Sequence, residues 1–238
     1  MNSLTEYWHG GFNQVEGWVD NELLQPLAEV QAFQTENNVT GSVLEIGVHH
    51  GKFLLALAAM TAPGEAVVAI DLFDLQNLNV DQSGSGNKAA FLNNFSRYIT
   101  DERRLEVIEG DSLTFNLAKK CAIDRDFGPF RFISVDGGHT AEHTFHDIQF
   151  AADLATSGTV ISIDDYYNMH WPGVHEGTCR YMAASPTHIK PFCFAANKLF
   201  LSDFAYAGNY FAHFEKQFRE RLNFKVVSMW GSQVCVFS

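Results

Sequence analysis

Basic residues are scarce in this chain. Lys and Arg together number 16 against 28 for Asp and Glu, a formal net charge of −12. Nucleic acid and anionic membrane surfaces both reward clustered positive charge, so neither is expected as a main partner. A small charged ligand held in one pocket remains compatible with that balance. Cysteine is equally sparse: Cys121, Cys179, Cys193 and Cys235 include no C-x-x-C pair. The spacing suits neither a zinc finger nor a small secreted disulfide framework, and free thiols in a reducing compartment are expected. Long apolar runs are missing too. The longest, Phe53 to Met60, falls far short of the roughly 20 residues of a membrane-spanning helix. No basic stretch leads into an apolar run between Met1 and Val19, so no signal peptide and a cytoplasmic location are expected. Repeats and low-complexity tracts are lacking; Gly-Ser-Gly at 84–86, inside 81–87, reads as a flexible loop.

What is present points to one architecture. With 46% hydrophobic and 18% charged residues, the chain can bury a core. Short apolar runs at Ser42–Ile46, Ala66–Ile70, Leu105–Ile108, Phe130–Val135 and Thr159–Ile163 alternate with helical patterns at Lys52–Thr61, Lys88–Ile99, Leu113–Ile123 and Thr140–Ala155. Near-continuous apolar strands are buried on both faces, which means a parallel sheet with helices either side. The expected fold is therefore α/β: a Rossmann-like, doubly wound, mostly parallel sheet with an antiparallel C-terminal edge hairpin. Lys190–Phe194 and Lys198–Leu201, joined through Ala196-Asn197, read as that hairpin, followed by a helix over Phe211–Leu222 and strands at Lys225–Met229 and Gln233–Phe237. Helices over Val15–Leu24 and Pro26–Glu36 make residues 1–40 a helical lid or oligomerisation segment preceding a domain over 41–238. Tyr7, Trp8, Phe12 and Trp18 are its candidate lid or dimer-contact residues, and a homodimer is expected.

Each predicted parallel strand ends in Gly or an acid. Ligands of open parallel sheets bind outside the carboxyl ends of the strands, so Glu45, Asp71, Asp111, Asp136, Asp164 and Asp165 should ring one site. Between the first strand and its helix stands Glu45-Ile46-Gly47-Val48-His49-His50-Gly51, glycines that permit close backbone approach. It is a poor dinucleotide fingerprint and fails the phosphate-loop pattern, with three residues between glycines and Phe53 after Lys52.

Asp136-Gly137-Gly138-His139 and Asp164-Asp165-Tyr166-Tyr167 carry the densest chemistry. Converging carboxylates repel and need a counter-charge, which a divalent cation such as Mg²⁺ supplies through hard oxygen ligands. The alternative is that these acids cap helices and pair with basic residues. His139 has the side chain of a general base near neutral pH. His139-Thr140-Ala141-Glu142-His143 also fits the H-x-x-E-H zinc-peptidase pattern, with His146 nearby, but a strand leads into it, which is the wrong setting.

Glu45-x-Gly47-x-x-x-Gly51 resembles motif I of the class I S-adenosylmethionine (SAM) methyltransferases. Together with Asp136-Gly-Gly-His139 and Gly158-Thr-Val-Ile-Ser-Ile-Asp164-Asp165-Tyr166, it is similar to the branch of macrolide-sugar and aminocoumarin-sugar O-methyltransferases and cephalosporin-hydroxylase-like proteins. The resemblance covers roughly 40–203. It implies that Glu45, Gly47, Gly51, Asp71, Asp111, Ser112 and Asp136 contact SAM, that Asp136, Asp164 and Asp165 bind Mg²⁺, and that His139 deprotonates a hydroxyl of a small-molecule acceptor. Trp171, with Tyr166, Tyr167 and His170, would stack on a sugar or aromatic acceptor. The paired His49-His50 departs from the family pattern. An Fe(II)-dependent hydroxylase-like enzyme and a non-catalytic SAM- or nucleotide-binding module are the competing readings.

Overall fold

Why the middle of the chain forms a parallel sheet is plain from burial. In the computed structural model, which describes residues 3–99, 103–184 and 188–238, the strands β1 (Ser42–Ile46) and β4 (Phe130–Val135) are buried at every position. Such strands must be covered on both faces, and helices do this. β2 (Ala66–Asp71), β3 (Arg104–Glu109) and β5 (Ala155–Ile163) complete the parallel part. The connecting helices are α3 (Lys52–Ala58), α4 (Lys88–Tyr98), α5 (Leu117–Phe127) and α6 (Ala141–Leu154). The predicted Leu113–Ile123 helix is divided, a short 3₁₀ turn at Ser112–Thr114 preceding α5.

The sheet has nine strands in the order β3-β2-β1-β4-β5-β7-β6-β9-β8. Antiparallel β7 (Lys198–Asp203) lies against β5, and β6 (Ile189–Ala195) pairs with β7. The tight turn between them has positive φ at both central residues, Ala196 (49°) and Asn197 (65°), as a twisted two-residue hairpin requires. This hairpin does not end the sheet. β9 (Ser232–Phe237) pairs in parallel with β6, and β8 (Lys225–Met229) takes the outermost place, so the last hairpin forms the antiparallel edge. Helices α7 (Pro172–Ala184) and α8 (Ala207–Phe218) flank this half.

The N-terminal region differs from its expected form. Val15–Leu24 is not a helix: Gly17 has φ +149° and the segment runs extended into a 3₁₀ turn at Asn21–Leu23. The helices are instead α1 (Leu4–Gly10) and α2 (Leu24–Glu36). Tyr7, Trp8 and Phe12 are buried and belong to the core that also holds Phe53 and Phe132. Trp8 stacks on Phe12 at 3.9 Å, the Tyr7 hydroxyl donates to the Lys52 carbonyl (3.0 Å), and the Lys52 ammonium lies 4.5 Å from the Phe12 ring centre. The segment is thereby latched to α3 by buried aromatic area. Phe12→Ala should cost about 3–5 kcal/mol, the usual range for emptying a buried phenylalanine site, measured by urea unfolding; a change below about 1 kcal/mol would show that the latch contributes little to the core.

Candidate active site

Strand register builds the site. Ile46 pairs with Val135, and Val135 with Ile163. Gly47, Asp136 and Asp164 therefore follow in one row across the sheet end, held by the Asp136 N–H on the Ile46 carbonyl (2.8 Å) and the Asp164 N–H on the Val135 carbonyl (3.0 Å). Two residues back in each strand, Glu45, Ser134 and Ser162 form the row behind on the same face. Gly47 has to be glycine: its φ is +87° and a Cβ would come within 1.7 Å of the Asp136 carbonyl oxygen. Gly51, also at positive φ (+89°), ends the loop at the start of α3, where a Cβ would strike Phe91.

A cavity of about 500 Å³ opens over this row. Of the residues expected to meet a cofactor, Glu45, Gly47, Asp71, Asp111, Ser112 and Asp136 line it, and Gly51 shapes the loop from outside the lining. Glu45 is only 1% exposed, and its carboxylate oxygens have no hydrogen-bond partner among the described residues. Burial pushes Glu45 up to about 8, with the Lys198 charge and the nearby Ser134 hydroxyl, too poorly placed for a full hydrogen bond, pulling the other way. Asp71 holds the glycine loop: Oδ2 accepts from the Val48 N–H (2.6 Å) and the His49 N–H (2.8 Å), Oδ1 from the Phe73 N–H (2.5 Å). Burial nonetheless raises its pKa against these bonds. Asp111 caps the turn that follows β3 and lies 3.7 Å from His143 Nε2.

His139 sits between two carboxylates. Nδ1 is 3.0 Å from Asp81 Oδ2 and Nε2 is 3.2 Å from Asp165 Oδ2, while Trp171 stacks on the ring at 4.5 Å. Burial works against the charged ring, but Asp165 and Asp81 outweigh it and push His139 up to about 9. At neutral pH the ring is thus an imidazolium, whereas a general base must be neutral. For Asp81 too, burial is outweighed, here by the His139 and Ser83 hydrogen bonds, and its carboxyl is held well below the usual range. Asp81 was not singled out from the sequence. It lies in the flexible-looking loop 58 residues before its partner, and no local pattern announces such a pairing.

Lys198 was missed as well. Ile163 pairs with Leu199, so the next residues outward, Asp164 and Lys198, face one another. The lysine is 1% exposed, with Nζ at 2.5 Å from Asp164 Oδ2, 3.9 Å from Asp136 Oδ2 and 4.3 Å from the centre of the Phe53 ring. Burial disfavours its charge, yet Asp164 and Asp136 more than compensate and raise its pKa. Asp136 is raised well above the carboxylate range, by burial first and then by Asp164.

The Mg²⁺ set expected from the sequence does not fit as such. Asp164 Oδ1 accepts from the Asp165 N–H (2.9 Å) and Oδ2 is paired with Lys198; Asp165 Oδ1 accepts from Asn168 (2.8 Å) and Asn197 (2.6 Å), and Oδ2 faces His139. Asp136, His139 and Asp165 do bring ligand atoms within 4.8 Å of one another, with the histidine in the place expected for Asp164. The H-x-x-E-H residues do not converge: His143 Nδ1 is 2.7 Å from Thr140 Oγ1, and Glu142 is exposed. Tyr166 and Tyr167 pack near Phe194 and His175 rather than into the cavity, which Trp171 and Trp18 line.

The profile of a methyltransferase domain matches residues 44–166. The chain belongs to this family. No curated protein sequence matches it. Among solved structures it is similar to the O-methyltransferase NovP (15% identity over 77% of this chain and 80% of that one, TM-score 0.57). It is also similar to apo CalS11, a TDP-rhamnose 3′-O-methyltransferase of calicheamicin biosynthesis (18% identity, 83% and 86%, TM-score 0.57). A third is MycE of the mycinamycin pathway, in complex with Mg and SAH (17% identity, 84% of this chain and 53% of that one, TM-score 0.54). These likenesses establish the methyltransferase fold, with the glycine loop and the acidic row inside the matched segment.

Glu45 makes stability depend on pH. Its proton is released near 4.5 when unfolded and near 8 when folded, so the stability tied to holding it is complete below the lower value and lost as pH rises through the higher. At about 1.4 kcal/mol per pKa unit, Glu45→Gln should gain several kcal/mol relative to wild type at pH 8.5 compared with pH 5. Urea midpoints at the two pH values test this; an equal difference at both would refute it.

Proposed function

We propose that this protein is an S-adenosylmethionine-dependent O-methyltransferase acting on a hydroxyl of a small ringed molecule, sugar-like or aromatic. The observation that carries the reading is the buried Glu45 carboxyl, its oxygens without a hydrogen bond from any described residue, opening onto a cavity shared with Asp71, Asp111, Ser112 and Asp136, beneath a glycine where no Cβ fits. A buried acceptor left without a donor is costly unless a ligand supplies one, and an acid-lined pocket suits a cationic, hydroxyl-bearing ligand. The fold neighbours NovP, CalS11 and MycE, named as methyltransferases, with SAH in the MycE structure, support the same reading.

When bound, SAM supplies an electrophilic methyl on a sulfonium. The protein's own work is alignment and removal of one proton. Asp71 accepts three backbone N–H bonds, which leaves room for about one more donor among a carboxylate's four lone-pair sites. Asp81 on Nδ1 fixes the His139 tautomer, so that a neutral ring takes the acceptor's proton on Nε2 in place of its contact with Asp165, the orienting role a carboxylate plays toward a catalytic histidine. Asp165, on Nε2, marks the side from which that acceptor oxygen approaches. Trp171 beneath the ring, and Trp18 (72% exposed), Leu78 and Val80 at the rim, offer apolar faces to the acceptor body; Asn168 and Asn197 lie beside its polar end.

Calorimetric titration should show SAH binding; its absence at millimolar ligand would remove the reading. With an accepted hydroxylated substrate, His139→Gln should lower kcat roughly 10²–10⁴-fold and leave SAH affinity nearly intact, whereas equal losses would mean a structural role. Because the base form appears only above the histidine's pKa, the rate should climb with pH and level off near 9. Asp81→Asn removes a group that holds the proton on the ring, so the rising limb should move to lower pH while the plateau falls. A limb that stays in place would exclude His139 as its source.

A further inference from the structure

The carboxylates at the ends of β4 and β5 already have a cation of their own. Lys198 is the first strand residue after the Ala196-Asn197 turn, and register sets it opposite Asp164. Its ammonium, 1% exposed, is 2.5 Å from Asp164 and 3.9 Å from Asp136, with the Phe53 ring face closing its far side at 4.3 Å. A buried lysine is tolerated only where paired, and here the pairing is built by a tight turn and a strand rather than by a mobile surface side chain. Carboxyl groups converging on one point repel unless a proton or a cation comes between them. A divalent ion between Asp136 and Asp164 would have to share Asp164 Oδ2 with an ammonium already paired to it, and like charges so close together repel.

We propose that Lys198 is the resident cation of this site, filling the place a divalent ion would take between Asp136 and Asp164, so that the pocket binds its ligand without a metal. The proposal deepens the methyltransferase reading, since it concerns the charge of the same pocket. The atoms of Asp136, His139 and Asp165 that approach one another define the rival: a metal held beside the lysine.

Mn²⁺ is the probe, followed by electron paramagnetic resonance of the free ion, with the full chain first stripped by EDTA. Wild-type protein should leave the free Mn²⁺ signal unchanged, and SAH should bind equally well, within about twofold, in EDTA and in Mg²⁺. Lys198→Met, which removes the charge and keeps the bulk, should take up Mn²⁺ stoichiometrically and lose it again when Asp164→Asn is added. Stoichiometric uptake by the wild type, or an SAH affinity about tenfold weaker in EDTA, would overturn the proposal. A folded Lys198→Met that takes up no Mn²⁺ would overturn it too, and if that variant does not fold, the wild-type measurements decide alone. Failure of SAH to bind in either buffer would count against the donor reading, while the Mn²⁺ signal would still judge the lysine.

Discussion

Burying acidic side chains at the end of a sheet is an electrostatic problem before it is a catalytic opportunity. Glu45, Asp136 and Asp164 stand at the ends of three adjacent strands, the first and last buried and Asp136 partly so. Burial makes Glu45 and Asp136 hold their protons more firmly than exposed carboxyls, even with a lysine beside them. Lys198 enters from the fourth strand and pairs with Asp164 directly and Asp136 at longer range. Removing one partner of a buried pair typically costs about 3–5 kcal/mol, because the other charge is stranded. The charge balance of this sheet end therefore leans on one ammonium.

A second charge network lies beside the first. Asp81, His139 and Asp165 tie the loop after β2 to the loop after β4 and to the end of β5. The acids of the first network line the cavity floor while its lysine is buried behind them; the second network lines the cavity wall. Asp164 and Asp165 are neighbours in sequence and yet serve different networks, since Asp165 has positive φ (55°) and its side chain turns toward His139, Asn168 and Asn197. That single backbone inversion sends the two neighbouring acids to different partners.

The flanks serve the site indirectly. The N-terminal aromatics fasten α1 to α3, and α3 follows the glycine loop and presents Phe53 to Lys198. The antiparallel half of the sheet sets β7 in register so that its first residue reaches Asp164. The Gly17-Trp18 stretch, extended rather than helical, lies along one side of the cavity and is tethered by the Lys52 ammonium to the Gly17 carbonyl (3.2 Å).

Periodicity and turn chemistry alone determined the alternating strands and helices, the parallel sheet, the glycine loop and the row of acids at strand ends, because each of these is local: apolar run length, a residue that needs positive φ, an acid where a strand stops. Gly47, Asp136 and Asp164 could be placed at one rim on that basis. The partners of those acids could not. Lys198 follows Asp164 by a helix and a strand, and Asp81 lies a long way before His139; each meeting depends on how distant segments pack, and neither residue stands in a pattern of its own. Converging carboxylates could be read from strand ends, whereas the ammonium beside them arrives only through the register of β7. The N-terminal helix boundaries were misread for a similar reason: the aromatics of 4–12 fold by burial against α3, and tertiary packing overrode the local pattern. Residue types announce what a site contains, whereas only the folded chain decides which charges face each other, since Coulomb forces act through space and not along sequence.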